Sequence, residues 1–265
     1  MKATLLRVIL STVAIATVAG TASVASAHDV WLTTAGPASA RRVIVNYGHP
    51  GDRPPAVADK VLDLVSITGE VRVSLLAGLA PGYAEGALIA RSRPIADNGR
   101  MLLAVRYDNG YWVKIADNVY RNVSKRMAPE AIDSLWSAKF AKAATGPGTP
   151  WDTVLGHDLE IVPMADPVAA RVGESLRIRV LFRGKPLAGV DVERGDGITA
   201  IKEADIPRFK TDGDGIAAIP IVKAGPVLLV IDHRVTPSGT PEIAATDLFN
   251  GTFAFRTPAA PRARR

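Results

Sequence analysis

The clearest pattern in the chain is an alternation of apolar and polar residues in its second half. Apolar side chains stand at positions 176, 178, 180 and 182, with mostly arginines between them. A period of two places successive side chains on opposite faces of a strand, so this run predicts a half-buried β-strand. Comparable runs lie at residues 157–162, 190–193, 216–222, 227–233 and 252–255. Together they predict about seven short strands, which is typical of an antiparallel β-sandwich.

The first half of the chain carries shorter β patterns. Residues 30–32 and 42–47 predict single strands, and residues 62–67 with 70–76 predict a hairpin that turns at Thr68-Gly69. Residues 100–106 and 111–115 predict a second hairpin. Asp108-Asn109-Gly110 stands between them, and Asn-Gly is a strong signal for a tight turn.

Two periodicities overlap in residues 127–144. Pro129 is suited to the first turn of a helix, and apolar residues follow it at helical spacing: Ile132, Leu135, Trp136 and Phe140. The part from Trp136 to Phe140 also alternates as a strand would. We expect a short helix at the start, and the pattern leaves the rest open between helix and strand.

A Gly/Pro cluster at residues 146–150 predicts a domain boundary, because it interrupts any regular structure. The expected organisation is all-β. An N-terminal β-rich domain at residues 28–146 is followed by a β-sandwich domain at 151–257 and a basic, frayed tail at 258–265.

The N-terminus has the layout of a secretory signal peptide. A basic start precedes an apolar run over residues 8–18, and Ala25-Ser26-Ala27 forms the small-x-small site that signal peptidase cleaves. Cleavage there makes His28 the first residue of a mature protein in the periplasm. The apolar run is too short to span a membrane, and no other stretch resembles a span, so a protein embedded in the membrane is not expected.

Charge and cysteine content narrow the function. The formal net charge is +6, but without Lys2, Arg7 and the three arginines of residues 262–265 the remainder carries about +1. A nucleic-acid partner is therefore not expected. The chain has no cysteine, which excludes disulfides, thiolate metal sites and a lipid anchor. It also lacks the nucleophile elbow, the P-loop and the dinucleotide fingerprint, so we do not expect an enzyme.

The candidate chemistry lies in the four histidines: His28, His49, His157 and His233. A histidine at a free N-terminus offers its imidazole and an α-amine whose reference pKa is ~8, and the two can chelate Ni, Co, Cu or Zn. The other imidazoles are ligands for the same ions. Neighbouring carboxylates that could fix the histidine tautomers are Asp29, Asp158, Glu160 and Asp232.

Several segments resemble a known bacterial family when their order and spacing are taken together. They are residues 28–32, 137–143, 156–163, 173–174, 184–190, 211–215 and 232–234. They are similar to the domain of unknown function 4198 family of exported proteins, often described as accessory to nickel or cobalt uptake. The resemblance implies a β-rich region followed by an immunoglobulin- or transthyretin-like sandwich. It also implies Ni or Co as the metal and a membrane metal transporter as a partner.

The sequence therefore predicts a periplasmic metal-binding protein that serves metal uptake. Strand ends gather at the rims of a sandwich, so we expect His28 to fold back to a rim shared by His157 and His233. One alternative is a metal-free interaction or carbohydrate-binding module. Another is a copper carrier, or an oxidative enzyme, built on the N-terminal histidine.

Overall fold

The computed structural model of the protein describes residues 28–97, 99–117 and 119–259 and is almost entirely β. This confirms the all-β expectation. The predicted signal peptide and residues 260–265 of the predicted tail lie outside the described residues. The described residues form no long apolar helix of the kind that crosses a membrane.

The strands are numbered in chain order. They are β1 (Asp29–Ala35), β2 (Arg42–Gly48), β3 (Val61–Thr68), β4 (Val71–Ser74), β5 (Ala80–Ala84), β6 (Ala87–Arg91), β7 (Leu102–Ala116), β8 (Val119–Arg121), β9 (Asp133–Ala144), β10 (Leu159–Pro163), β11 (Ser175–Phe182), β12 (Lys185–Pro186), β13 (Asp191–Gly195), β14 (Arg208–Lys210), β15 (Ile216–Pro220), β16 (Gly225–Val235) and β17 (Thr246–Thr257).

These strands form three sheets. The central sheet has nine strands in the order β14-β13-β16-β17-β9-β7-β3-β4, with β8 paired to β7. We call the sheet with the order β1-β2-β6-β5 the front sheet. The back sheet has the order β10-β11-β12, with β15 paired to β11.

The front and back sheets cover opposite faces of the central sheet. In β9, Phe140 belongs to the core that contains Ile161 and Ile178 of the back sheet. The next residue, Ala141, belongs to the core that contains Val30 and Leu32 of the front sheet. Successive residues of a strand point to opposite faces, so the central sheet is the middle of three layers.

The central sheet also joins the two halves of the chain. β17 pairs in parallel with β9, from Thr246 beside Leu135 to Ala254 beside Ala143. Strands from both sides of the Gly/Pro cluster at residues 146–150 therefore share one sheet. The cluster itself connects β9 of the central sheet to β10 of the back sheet. That residues 151–257 form a domain of their own stays a prediction.

The short helix expected after Pro129 is not formed. A single 3-10 turn covers Lys125–Met127, and β9 starts at Asp133 and continues to Ala144. The helical periodicity misled because β9 lies between β7 and β17 with both faces covered, so apolar residues occur on both sides of the strand. A strand buried on both faces has no period of two and resembles a helix in sequence.

The hairpin expected at Asp108-Asn109-Gly110 is also wrong. β7 runs straight through these residues and pairs with β9 on both sides of them, with a register shift between Asp108 and Gly110. Gly110 has a φ of +81°, and its N–H donates to Asp108 Oδ1 at 2.9 Å. The segment is a β-bulge rather than a turn. The hairpin expected at Thr68-Gly69 is confirmed, because Thr68 pairs with Val71.

Candidate functional site

Two of the four histidines meet at one end of the front sheet. β1 and β2 are antiparallel with Asp29 beside Gly48, which brings the residues just outside that pair, His28 and His49, next to each other. Their ring centroids are 5.2 Å apart. The Tyr47 ring is tilted by 69° to the His28 ring, and the two ring centroids are 5.3 Å apart. The site is therefore a product of strand register rather than of a local sequence motif.

Each of these imidazoles has a carboxylate beside one of its nitrogens. His28 Nε2 is 3.1 Å from Asp52 Oδ2, and His49 Nδ1 is 3.4 Å from Asp29 Oδ2. The His28 and His49 side chains are 34% and 29% exposed, but Nε2 of His49 itself is buried. A carboxylate on one imidazole nitrogen fixes the tautomer and makes the other nitrogen the metal-binding one.

The loop that carries His49 is held by a tight turn. The His49 N–H donates to the Asp52 carbonyl at 2.7 Å, and the Asp52 N–H donates to the His49 carbonyl at 3.0 Å. Gly48 precedes this turn with a φ of +115°, and a Cβ there would lie 2.3 Å from the Asp52 carbonyl oxygen. Only glycine fits this backbone, so Gly48 positions both His49 and Asp52.

A buried polar layer lies behind the histidines, between the front and central sheets. The Asn250 side-chain amide donates to Asp29 Oδ1 and to Asp232 Oδ1, each at 2.9 Å. Burial, with the nearby Asp29 carboxylate, raises the pKa of Asp232 to about 6. Lys139 of β9 is fully buried on the same face. The carboxylate that orients His49 is thus itself held by a network inside the protein.

Two tyrosines close the inner wall of the site. The Tyr47 and Tyr107 rings stack with centroids 5.7 Å apart. The bulge of β7 turns Asn109 inward. The Tyr47 hydroxyl donates to Asn109 Oδ1 at 3.1 Å. Burial raises the pKa of Tyr47 to about 12. The phenol therefore stays neutral near pH 7 and acts as a wall rather than as an anionic ligand.

Two neighbouring cavities open beside this layer. One of about 280 Å³ is lined by Asp29, His49 and Pro50 together with Glu193 and Glu203. The other, of about 640 Å³, is lined by Asp232 and shares Glu193 and Glu203 with the first. The Asp29–His49 pair is thus reached from an open cavity, and the two glutamates of its wall form ion pairs with Arg208.

The other two histidines lie on the opposite face of the central sheet. His157 is buried against Phe140 with ring centroids 5.3 Å apart, and burial lowers its pKa to about 4. The ring of His233 packs against Phe182 of the back sheet, with the ring centroids 4.5 Å apart. Its neighbour in β16, Asp232, points to the front-sheet side, so the ring of His233 points away from it.

The structure therefore does not bring His157 and His233 to His28. The expectation of a shared rim assumes a two-layer sandwich, in which strand ends meet. The structure has three layers, and the central sheet separates the pair His28 and His49 from the pair His157 and His233. The carboxylates near His157 pair with cationic side chains instead. Glu160 Oε1 accepts from Lys142 Nζ at 2.9 Å, and Asp158 Oδ1 lies 3.5 Å from Arg183 Nε.

Among residues 28–97, 99–117 and 119–259, no three His, Asp or Glu side chains are grouped so as to hold a metal ion. The nitrogen donors that do converge there are the imidazoles of His28 and His49. Residues of this region that the sequence did not indicate are Tyr47, Tyr107, Asn109, Lys139 and Asn250. The only local signal for the last two is a polar residue within an apolar strand.

A family model and a bacterial protein match the sequence of this chain. The sequence model of a family described as "Domain of unknown function (DUF4198)" matches residues 25–235. An uncharacterized protein of Haemophilus influenzae is 30% identical over 200 residues, which cover 74% of this chain and 76% of that protein.

Two solved structures resemble the chain only weakly. The MG0-NIE-MG1 domains of Escherichia coli alpha-2-macroglobulin align over 86% of this chain and 72% of theirs, at 13% identity and a TM-score of 0.24. A chimeric titin Z1Z2 tandem aligns over 87% of this chain and 97% of its own, at 9% identity and a TM-score of 0.19. Scores this low carry no argument about function.

Proposed function

This chain belongs to the DUF4198 family, and from that premise and the pairing of His28 with His49 we propose that it is an exported protein that binds a divalent transition-metal ion at its mature N-terminus. The metal is cargo for an uptake system in the periplasm. The observation that carries the proposal is the 5.2 Å separation of two imidazoles, each with a carboxylate beside one of its nitrogens.

The proposed ligands are three nitrogens. Cleavage after Ala27 frees the α-amine of His28, which chelates the ion together with Nδ1 of the same residue. The other nitrogen, Nε2, then donates to Asp52. His49 contributes Nε2, because Asp29 Oδ2 lies 3.4 Å from its Nδ1 and keeps the imidazole proton on that nitrogen. Such a site does not need three side chains, since one donor is a main-chain amine that exists only after cleavage.

Three nitrogens without sulfur favour Ni²⁺ and Cu²⁺ in a tetragonal arrangement. The family resemblance implies nickel or cobalt. Nickel is the ion on which the donor set and the resemblance agree, so we propose Ni²⁺ as the cargo. The His28 side chain is 34% exposed, which supports reversible loading and transfer to a membrane transporter.

The experiment is calorimetry with Ni²⁺, Co²⁺, Cu²⁺ and Zn²⁺ on protein whose N-terminus has been sequenced as His28. We expect His49→Ala to weaken Ni²⁺ binding by at least tenfold. The matched control, His233→Ala, should bind as the wild type does, because its ring lies on the other face of the central sheet. Equal binding by His49→Ala and wild type, or no binding by either, would overturn the proposal.

Affinity alone does not identify the cargo, because Cu²⁺ binds nitrogen sites more tightly than Ni²⁺ does. The deciding measurement is the metal content of protein recovered from the periplasm of cells supplied with all four metals. Nickel in the wild type and its loss in His49→Ala support nickel as the cargo. Copper in its place would reassign the protein as a copper carrier.

A further inference from the structure

Lys139 and Asn250 are two fully buried polar residues that face the same space. They are register partners on the parallel strands β9 and β17, and both are 0% exposed. Asn250 bonds to Asp29, and Asp29 and Asp232 act electrostatically on Lys139, so both side chains lie on the front-sheet side. Neighbouring strands are about 4.8 Å apart, a gap that a lysine side chain can bridge.

Both residues carry a polar atom that has no hydrogen-bond partner among the described residues. The two atoms are Lys139 Nζ and Asn250 Oδ1. Buried polar groups without partners are rare and costly. The other buried lysine of β9, Lys142, shows the usual solution, because its Nζ donates to Glu160 and to the Thr153 carbonyl. Lys139 therefore requires a different explanation.

We propose that Lys139 and Asn250 become joined by an intramolecular isopeptide bond. The bond would turn both orphan groups into one secondary amide and would link β9 to β17 covalently. The chain has no cysteine, so it cannot use a disulfide for that purpose. This inference concerns the buried layer and does not depend on the metal proposal.

The reaction needs only groups that are present. Burial lowers the pKa of Lys139, which favours the neutral amine, and a neutral amine is the nucleophile. Its lone pair attacks Cγ of Asn250, and the new C–N bond forms. One proton leaves the attacking nitrogen through the Asp232 carboxyl and is delivered to Nδ2, which lies 2.9 Å from Asp232 Oδ1. The Cγ–Nδ2 bond then breaks and ammonia departs, with no oxidant or reductant.

Asp232 fits the role of proton carrier in this step. It contacts the leaving nitrogen directly, and its raised pKa of about 6 lets the carboxyl hold and release a proton near neutral pH. Asp29 accepts the second amide N–H and so orients the carboxamide. Two carboxylates thus hold the amide, while its carbonyl oxygen has no hydrogen-bond partner in the described part of the chain.

The test is mass spectrometry of the denatured full-length mature protein. The expected mass is that of the sequence from its measured N-terminus minus one ammonia. Tryptic digestion should release a branched peptide that joins Lys139 to Asn250, with no cleavage after Lys139. Lys139→Arg should restore the full mass, whereas the matched control Lys142→Arg should keep the loss. Asp232→Asn should leave most of the protein uncrosslinked.

Asn250→Asp gives a further check, because the same bond would then form with loss of water instead of ammonia. Asn250 is followed by Gly251, and cyclisation of an Asn-Gly pair also releases ammonia. A loss that persists in Lys139→Arg would assign it to that cyclisation and overturn the proposal. A full mass for the wild type would overturn it too. If Lys139→Arg does not fold, the branched peptide of the wild type decides the matter by its presence or absence.

Discussion

The imidazole of His28 lies 5.2 Å from that of His49 because the antiparallel register of β1 and β2 pairs Asp29 with Gly48. The same register gives each ring its own carboxylate, with His28 beside Asp52 and His49 beside Asp29. The backbone thus arranges the two proposed ligands and their two orienting carboxylates with one strand pairing and one turn.

Gly48 should be essential to the metal site. Gly48→Ala places a Cβ 2.3 Å from the Asp52 carbonyl oxygen at a φ of +115°, so the turn that carries His49 and Asp52 must shift. We expect Ni²⁺ affinity to fall by at least tenfold, because both His49 and the carboxylate that orients His28 would move. Calorimetry measures the change.

The control for that substitution is Gly69→Ala in the β3–β4 turn. Gly69 has a φ of +56°, and its Cβ would meet no atom within 4 Å. Gly69→Ala should lower the free energy of unfolding by ~1 kcal/mol, because alanine is strained in the left-handed backbone conformation. It should leave Ni²⁺ binding unchanged. Equal effects of the two substitutions on binding would show that Gly48 has no special role in the site.

The buried Lys142–Glu160 pair should stabilise the connection from β9 to β10. Glu160 Oε1 accepts from Lys142 Nζ at 2.9 Å and from the Leu155 N–H at 2.8 Å. Lys142→Met leaves a buried carboxylate without its cation, which typically costs ~3–5 kcal/mol. Lys210→Met, which removes an exposed pair with Asp191, should cost less than ~1 kcal/mol. Urea unfolding of both variants measures the difference, and similar midpoints would contradict this account.

His157 should make stability depend on pH between 4 and 6.5. Burial lowers its folded pKa to about 4 from the ordinary 6.5, so in this range the unfolded chain binds a proton that the folded protein does not. Stability from His157 is therefore complete above pH 6.5 and is lost as pH falls to 4. By linkage the loss is at most about 3 kcal/mol.

The measurement compares wild type with His157→Gln at each pH, because Asp232 titrates in the opposite sense. Its raised folded pKa makes the folded state bind the extra proton between about pH 4 and 6, and this contribution cancels in the comparison. We expect the advantage of the wild type over the variant in unfolding free energy to shrink as pH falls. Parallel pH profiles would show that His157 is not held neutral.

The sequence predicted β11 because that strand has one buried face. β11 alternates cleanly because its arginines face away from the core, while Leu176 and Ile178 are buried. β9 gave no clear period because it is covered on both sides. The sequence predicts two strands where β7 is one, because Asp-Asn-Gly is compatible with a bulge as well as with a hairpin turn. Only the pairing with β9 distinguishes these structures.

The candidate site was predicted in part for a similar reason. His28 and His49 were identified as ligand candidates from their residue type and from the cleavage site. The proximity of the two histidines depends on the register of β1 and β2. The sequence of the loop between these strands does not predict that register. Lys139 and Asn250 meet through a parallel pairing of β9 with β17, and no local pattern reports such a long-range contact.

The most direct test of the metal proposal changes only the first residue of the mature protein. Calorimetry with Ni²⁺ compares protein that begins at His28 with protein that carries one additional alanine before it. The alanine removes the α-amine of His28 and leaves both imidazoles, Asp29 and Asp52 in place. We predict tight binding by the native N-terminus and a loss of at least tenfold with the extension. Equal binding by the two proteins would contradict the N-terminal amine as a ligand, and with it the proposed site.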